Sequence, residues 1–166
     1  MRLRVPITGH AVLVYRRPDG SFGWTRTLRN GVTVQGCDWL LTTGFLGGTV
    51  PAAIYGGLID GSGFTAVSGS DTHMSHPGWS EYAALDSLTR PLWTPLPANG
   101  GLLGTQVPAR FIFSADGSVK GAFLTTVADV GSVAAGTLYN TVEAATAFDV
   151  EAGGQLDVSF AVRLGA

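Results

Sequence analysis

Glycine and proline break this sequence so often that only short elements fit between them. There are 24 glycines and 8 prolines among 166 residues. Inside a helix, glycine costs about 1 kcal/mol and proline about 3 kcal/mol relative to alanine, which argues against a helix-rich fold. Strands separated by turns are the alternative. Residues 11–17 form a β-prone run, and Pro18-Asp19-Gly20 follows as a turn. Residues 22–28 then alternate, with Phe22, Trp24, Arg26 and Leu28 on one side. Proline presets the bend and glycine accepts positive φ, so these segments predict an antiparallel hairpin. Asn30-Gly31 is a second turn signal. Residues 107–114, the turn Ala115-Asp116-Gly117 and residues 118–127 predict another hairpin. Further strands are expected over 52–59, 136–142 and 155–163, the last with Leu156, Val158, Phe160 and Val162 on one face. Short strands are expected at 80–86 and 90–94, the latter held to an edge or bend by Pro91, Pro95 and Pro97.

Gln35–Leu46 is the one helical run, with the helix near residues 36–46. Trp39, Leu40, Leu41 and Phe45 group as an apolar stripe, and Asp38 is expected in the first turn, where the helix dipole favours an anion. Gly44 or Gly47-Gly48 should stop it. Residues 62–81 read as a long loop, of the kind that is functional or packed as an extension. The length suits one domain. Seven to nine short strands with one helix predict a mainly all-β fold, a two-sheet antiparallel β-sandwich, jelly-roll-like or Ig-like. The expected organisation is an N-terminal arm over residues 1–9 and a single sandwich domain over residues 10–166.

Charge narrows the function classes. Hydrophobic residues make up 45% and charged residues 13%, with a net charge of −2, which excludes a disordered chain and argues against a nucleic-acid-binding domain. No stretch reaches the roughly 18 unbroken apolar residues of a membrane span. The basic start, Met1 to Pro6, lacks the apolar run of a secretory signal, so synthesis in a cytoplasm is expected. The single cysteine, Cys37, allows no internal disulfide and no cysteine-built zinc site. Six of the ten bases, Arg2, Arg4, Arg16, Arg17, Arg26 and Arg29, fall in the first thirty residues against Asp19 alone. Nine of the ten bases are arginine, which pairs bidentately and tolerates desolvation. The bland reading of this edge is a solvated surface, and the sharper one an acidic partner.

Catalytic signals are sparse. Asp71, His73 and His76 lie within six residues and could gather on a loop around a metal, but their spacing matches no strong zinc pattern. No Gly-x-Ser-x-Gly, P-loop or Gly-x-Gly-x-x-Gly is present. Glu81, Asp86, Glu143 and Glu151 are available as carboxylates for glycoside hydrolysis, yet nothing singles out a pair. Cys37 beside Asp38 reads as a small buried apolar residue rather than a nucleophile. Trp79, Tyr82 and Trp93 form an aromatic set that could carry a sugar or a partner, or pin an irregular segment to the core.

The chain resembles small virion structural proteins of tailed bacteriophages. The residues that carry the resemblance are Gly57-Leu58-Ile59-Asp60, the segment from Asp71-Thr72 to His76-Pro77-Gly78-Trp79, Thr89-Arg90-Pro91 and Lys120-Gly121-Ala122-Phe123-Leu124. It spans roughly residues 10–163. The resemblance implies a capsid decoration (cement) protein with a β-sandwich fold, with no catalytic residue and no cofactor. Its implied partners are the major capsid protein shell and further copies of itself, as a homodimer or homotrimer. Its implied location is the outer surface of the phage head, after synthesis in the bacterial cytoplasm. Candidate interface residues are Arg2, Arg4, Arg16, Arg17, Arg26, Arg29, Trp79 and Trp93. A tail, baseplate or fibre-associated adaptor, or a carbohydrate-binding module, is the alternative, with a glycan hydrolase more remote.

Overall fold

The computed structural model describes residues 7–164. Nine strands and one helix form a two-sheet antiparallel sandwich. One layer holds β3 (Tyr55–Asp60), β7 (Gly117–Thr125) and β8 (Leu138–Val150). The other holds β2 (Phe22–Val32), β1 (Ile7–Arg16) and β9 (Gln155–Leu164), in that order. The far edge of β9 carries β5 (Leu102–Val107) over Ala161–Arg163 and β6 (Ala109–Ile112) over Gln155–Val158. A two-residue strand, β4 (Thr94–Pro95), lies against β5. The layers are joined where Asn30–Val32 of β2 pairs with Asn140–Val142 of β8.

The first hairpin forms where turn chemistry predicts it, with β1 and β2 in register from Gly9↔Asn30 to Tyr15↔Trp24. Leu13, Tyr15, Leu156, Val158 and Phe160 point inward and are buried, as the alternation requires. They meet Leu58, Val119, Ala122, Leu124 and Val142 of the opposite layer in one core. A Cβ on Gly56 of β3 would touch Ala109 of β6 and Phe160 of β9, which shows how closely the layers approach.

Three expectations need correction. Ala115-Asp116-Gly117 is not a hairpin turn, because β6 pairs with β9 whereas β7 pairs with β3 and β8. The segment is a crossover between layers. Asn30-Gly31 does not end β2; the strand runs on to Val32 and changes partner there from β1 to β8. The arm and domain boundary also shifts: Ile7–Gly9 belongs to β1 and pairs with Val162–Leu164, while residues 1–6 lie outside the described residues.

The β3 and β6 edges of the sandwich are covered by the chain itself, whereas Phe22–Arg29 of β2 pairs only with β1. Tyr82 N–H bonds Leu58 O, and Gly56 N–H bonds Pro91 O, so residues 80–93 run along β3. The same segment reaches the edge of β6 through Asp86 N–H to Ile112 O and Ser114 N–H to Ala84 O. Exposed edges invite pairing with other chains, and this covering removes the invitation.

The β3-β7-β8 layer is buried on its outer face as well. Ile59, Phe123 and Leu138 pack there against Trp79, Phe64 and Val67 of the 62–81 segment. That segment is therefore a packed flap. Burial on both faces gives β7 an almost unbroken apolar stretch, Gly121 to Thr125, rather than alternation.

Helix α1 (Val34–Leu46) covers the end of this layer. Thr33 caps it, its side chain accepting from Gly36 N–H, and Gly47 closes it in the left-handed region at φ 69°. Asp38 thus falls beyond the first turn, correcting its expected position. Gly36 is required for docking: a Cβ there would collide with the Tyr139 carbonyl, so only glycine lets the helix sit on the backbone of β8.

Candidate functional site

The most polar concavity lies where the flap meets the β3-β7-β8 layer. It is a cleft of about 440 Å³ lined by residues of the flap (His73, His76, Trp79, Glu81) and by Arg90 and Ser132, among others. Its floor is a bidentate ion pair: Arg90 Nε and Nη2 donate to Glu81 Oε1 and Oε2, each at 2.7 Å. Both side chains are buried, at 1% and 8% exposure. Arg90 Nη1 also donates to Val127 O at 2.7 Å, Gly131 N–H donates to Glu81 Oε2 at 2.5 Å, and the guanidinium stands 5.5 Å from the Phe123 ring centre. Each nitrogen of the guanidinium and each oxygen of the carboxylate thus has a partner inside the fold.

The sequence-predicted metal set is split among structural duties. Asp71 Oδ2 accepts from Trp79 Nε1 and from Ser68 N–H, both at 2.8 Å. His73 Nδ1 shares a 3.0 Å hydrogen bond with Thr125 of β7. The His76 ring stacks on Trp79 at 3.8 Å, and its Nδ1 bonds Trp79 O at 2.8 Å. Among the described residues no three His, Cys, Asp or Glu side chains converge as a metal site. His73 is 2% exposed and its Nε2 has no hydrogen-bond partner. Burial, and next the Arg90 charge, hold its pKa below 6.5, outweighing the Ser132 backbone and Glu81, which act the other way. The arrangement keeps a neutral imidazole over a sealed ion pair. It fastens the flap; it offers no free carboxylate to act as a general acid or base.

The candidate interface residues separate into two groups. Arg16, Arg17, Arg26 and Arg29 are exposed on the first hairpin, Arg26 leaning over Trp24 at 5.9 Å. Arg2 and Arg4 lie outside the described residues. Trp79 and Trp93 are corrected: both are buried, at 6% and 4% exposure, and both indole N–H groups are used, by Asp71 and by Thr105 at 2.7 Å. They pin irregular segments to the core and present no ring face for a sugar to stack on. Of the candidate carboxylates, Glu81 is sealed by Arg90, whereas Asp86, Glu143 and Glu151 are exposed.

One surface was not marked as an interface by sequence reasoning. Only Trp39 and Leu40 of the helical stripe turn toward the sandwich; Leu41, Phe45 and Leu46 are 55%, 82% and 80% exposed, and Val50 just beyond is 68% exposed. A signal was present. Asp38 is the only charged residue from Thr33 to Val50, so the helix has no polar face to give to solvent. Exposed apolar clusters of this kind mark contact surfaces. No protein-family model, curated protein or solved structure matches the chain.

Proposed function

We propose that the protein is a non-enzymatic bacteriophage virion component, a capsid decoration (cement) protein that binds the outside of the major capsid protein shell and stiffens the head. The observation that carries this reading is the bare apolar end of α1, Leu41, Phe45, Leu46 and Val50. A side-chain surface of that kind stabilises contact with a neighbouring protein by desolvation. The arginines of the first hairpin supply a second, electrostatic contact for acidic shell surfaces. Self-association as a homodimer or homotrimer lets several weak contacts act together. The sandwich provides the rigid spacer such a role needs, and the sealed Glu81–Arg90 pair favours a structural over a hydrolytic reading.

The test is co-sedimentation of the purified protein with undecorated phage heads, after its solution mass is measured. Saturable binding at a fixed ratio to the shell protein, with a raised shell melting temperature, is expected. Absence of binding overturns the reading and moves the protein to the tail or fibre apparatus. Deletion of residues 1–6 tests the arm without touching β1; unchanged shell binding would remove the arm from the interface.

A further inference from the structure

One edge of the sandwich is left without a strand. Phe22–Arg29 of β2 pairs with β1 on one side, and β8 joins the other side only at Asn30–Val32. Past that junction β8 bulges, with Ala144–Ala147 opposite Lys120 alone. The bulge leans toward β7 and the end of β3: Lys120 Nζ donates to Ala145 O at 3.0 Å, and a Cβ on Gly61 would meet Ala147 at 2.8 Å. No other described segment bonds the open side of Phe22–Arg29 through its backbone.

The strand turns bonding groups toward this opening. Arg26 Nη1 donates to Thr25 O at 2.9 Å, so that carbonyl lies on the open side. In an antiparallel ladder the N–H and C=O of one residue point the same way, and alternate residues point oppositely. Gly23, Thr25 and Thr27 therefore present donors and acceptors that a further strand can pair with.

Side chains decide which strand fits. Trp24, Arg26 and Leu28 stand opposite Tyr15, Leu13 and Ala11, residues of the core. Arg26 is thus a charge on the core-facing side of its layer, exposed at the mouth between the sheets. It lies over Trp24, which tilts onto Phe148 of β8 at 4.7 Å. Arg29 is exposed on the other face. The ion pairs among the described residues are Arg90–Glu81 and Arg110–Asp157, so neither Arg26 nor Arg29 has an acidic partner there. A second copy docked edge to edge would set one arginine-bearing strand against another, and like charges across a strand pair repel. An acidic strand is attracted instead.

We infer that the open edge of β2 is a docking site for an extended acidic segment of a partner protein, which adds to the layer as an antiparallel strand. The register sets its pattern: an acid opposite Arg29, an apolar residue opposite Leu28, an acid opposite Arg26, and apolar residues opposite Trp24 and Phe22, with threonine-like residues between. The inference rests on the electrostatic contact proposed above for the first hairpin and gives that contact a geometry.

The probe is the end-capped peptide Glu-Val-Thr-Glu-Thr-Val-Thr-Val, titrated into the full-length protein and followed by backbone amide resonances and hydrogen exchange. Saturable shifts along Phe22–Arg29 are expected, with exchange slowed at Gly23, Thr25 and Thr27. A scrambled peptide of the same composition should bind severalfold more weakly, and added salt should weaken the matched one. Arg26→Glu with Arg29→Glu changes exposed positions only, so the melting temperature should hardly move. That variant should lose the acidic peptide and take up its counterpart with lysine in place of glutamate. Absence of saturable shifts overturns the inference. So do shifts without slowed exchange, which mean charge attraction alone, and so does a dimer through Phe22–Arg29 that excludes the peptide, which assigns the edge to a second copy. Co-sedimentation with phage heads is a separate readout. Heads bound by a protein that ignores the peptide retire the added strand and keep the shell reading; a bound peptide without bound heads does the reverse.

Discussion

Two covers lie over the β3-β7-β8 layer, and they differ in what they present to solvent. The flap, residues 62–81, is held by directional bonds: Asp71 to Trp79, His73 to Thr125, and the Glu81–Arg90 pair beneath. Helix α1 is also held by directional bonds, Leu138 N–H to Gln35 Oε1 at 2.7 Å and Gln35 Nε2 to Gly136 O at 3.1 Å, together with a close backbone approach at Gly36 and two half-buried apolar side chains, Trp39 and Leu40. The flap leaves one side-chain polar atom in its contacts unpaired, His73 Nε2; the helix lies over Asn140 and Tyr139, whose side-chain polar atoms all lack partners. The flap lies over a bonded, buried ion pair, whereas the helix combines an apolar outer surface with unsatisfied side chains beneath it. A cover of the first kind suits permanence, and one of the second kind suits contact.

The largest break in this contrast should come from Arg90→Met. It strands Glu81 as a buried charge without its partner, which costs about 3–5 kcal/mol. Denaturant unfolding should show that loss, and Glu81→Leu added to it should recover much of the stability, because removing both charges leaves no orphan. Gly36→Ala comes next. Its Cβ meets the Tyr139 carbonyl, so α1 must move, at a cost of about 1–3 kcal/mol typical of overpacking. Hydrogen exchange should quicken over residues 34–46 and at His73, whose N–H is held by Gln35 of the helix.

A smaller effect follows from His73. Its folded pKa is lowered, so the unfolded state takes up a proton first as pH falls. Its contribution is fully present above pH 6.5 and is lost on the way down to the folded pKa, with a slope of at most about 1.4 kcal/mol per pH unit. Melting curves across that range should show the decline, and His73→Gln should flatten it. The smallest effect on stability belongs to Leu41→Ser with Phe45→Ser and Leu46→Ser. Exposed positions of this kind shift stability by about 0.5 kcal/mol or less each. Shell binding and self-association should nonetheless be lost, as sedimentation would show.

The same contrast marks what the sequence could disclose. Ala11–Arg17, Pro18-Asp19-Gly20 and Phe22–Leu28 announce their hairpin because strand, turn and strand are adjacent and alternate. Ala115-Asp116-Gly117 carries equally good turn chemistry, yet it joins strands of different layers. Local residues set the bend; the burial of β7 on both faces decides its neighbours, and that depends on a flap fifty residues away. The helix was legible to within a residue or two of its ends, but not its orientation: Leu41 and Phe45 fit a core stripe by spacing and lie outside it. The tryptophans erred the opposite way. Aromatic residues among prolines and glycines suit a platform as well as a pin, and only the hydrogen bonds to Asp71 and Thr105 distinguish the two. The unpaired Asn140 was not legible at all, since an asparagine in a strand is ordinary until its neighbours across β2 and β7 are known to be Val32 and Leu124.

Strand β9 sits in the middle of its layer, between β1 on one side and β5 and β6 on the other. It is also the last of the described strands in chain order. The first hairpin must therefore wait through synthesis of most of the chain with the far edge of β1 unoccupied, and β5 and β6 wait with it for the strand that joins them. Assembly of that layer waits for residues 155–164, and a ribosome stalled before residue 155 holds a nascent chain with three sticky edges.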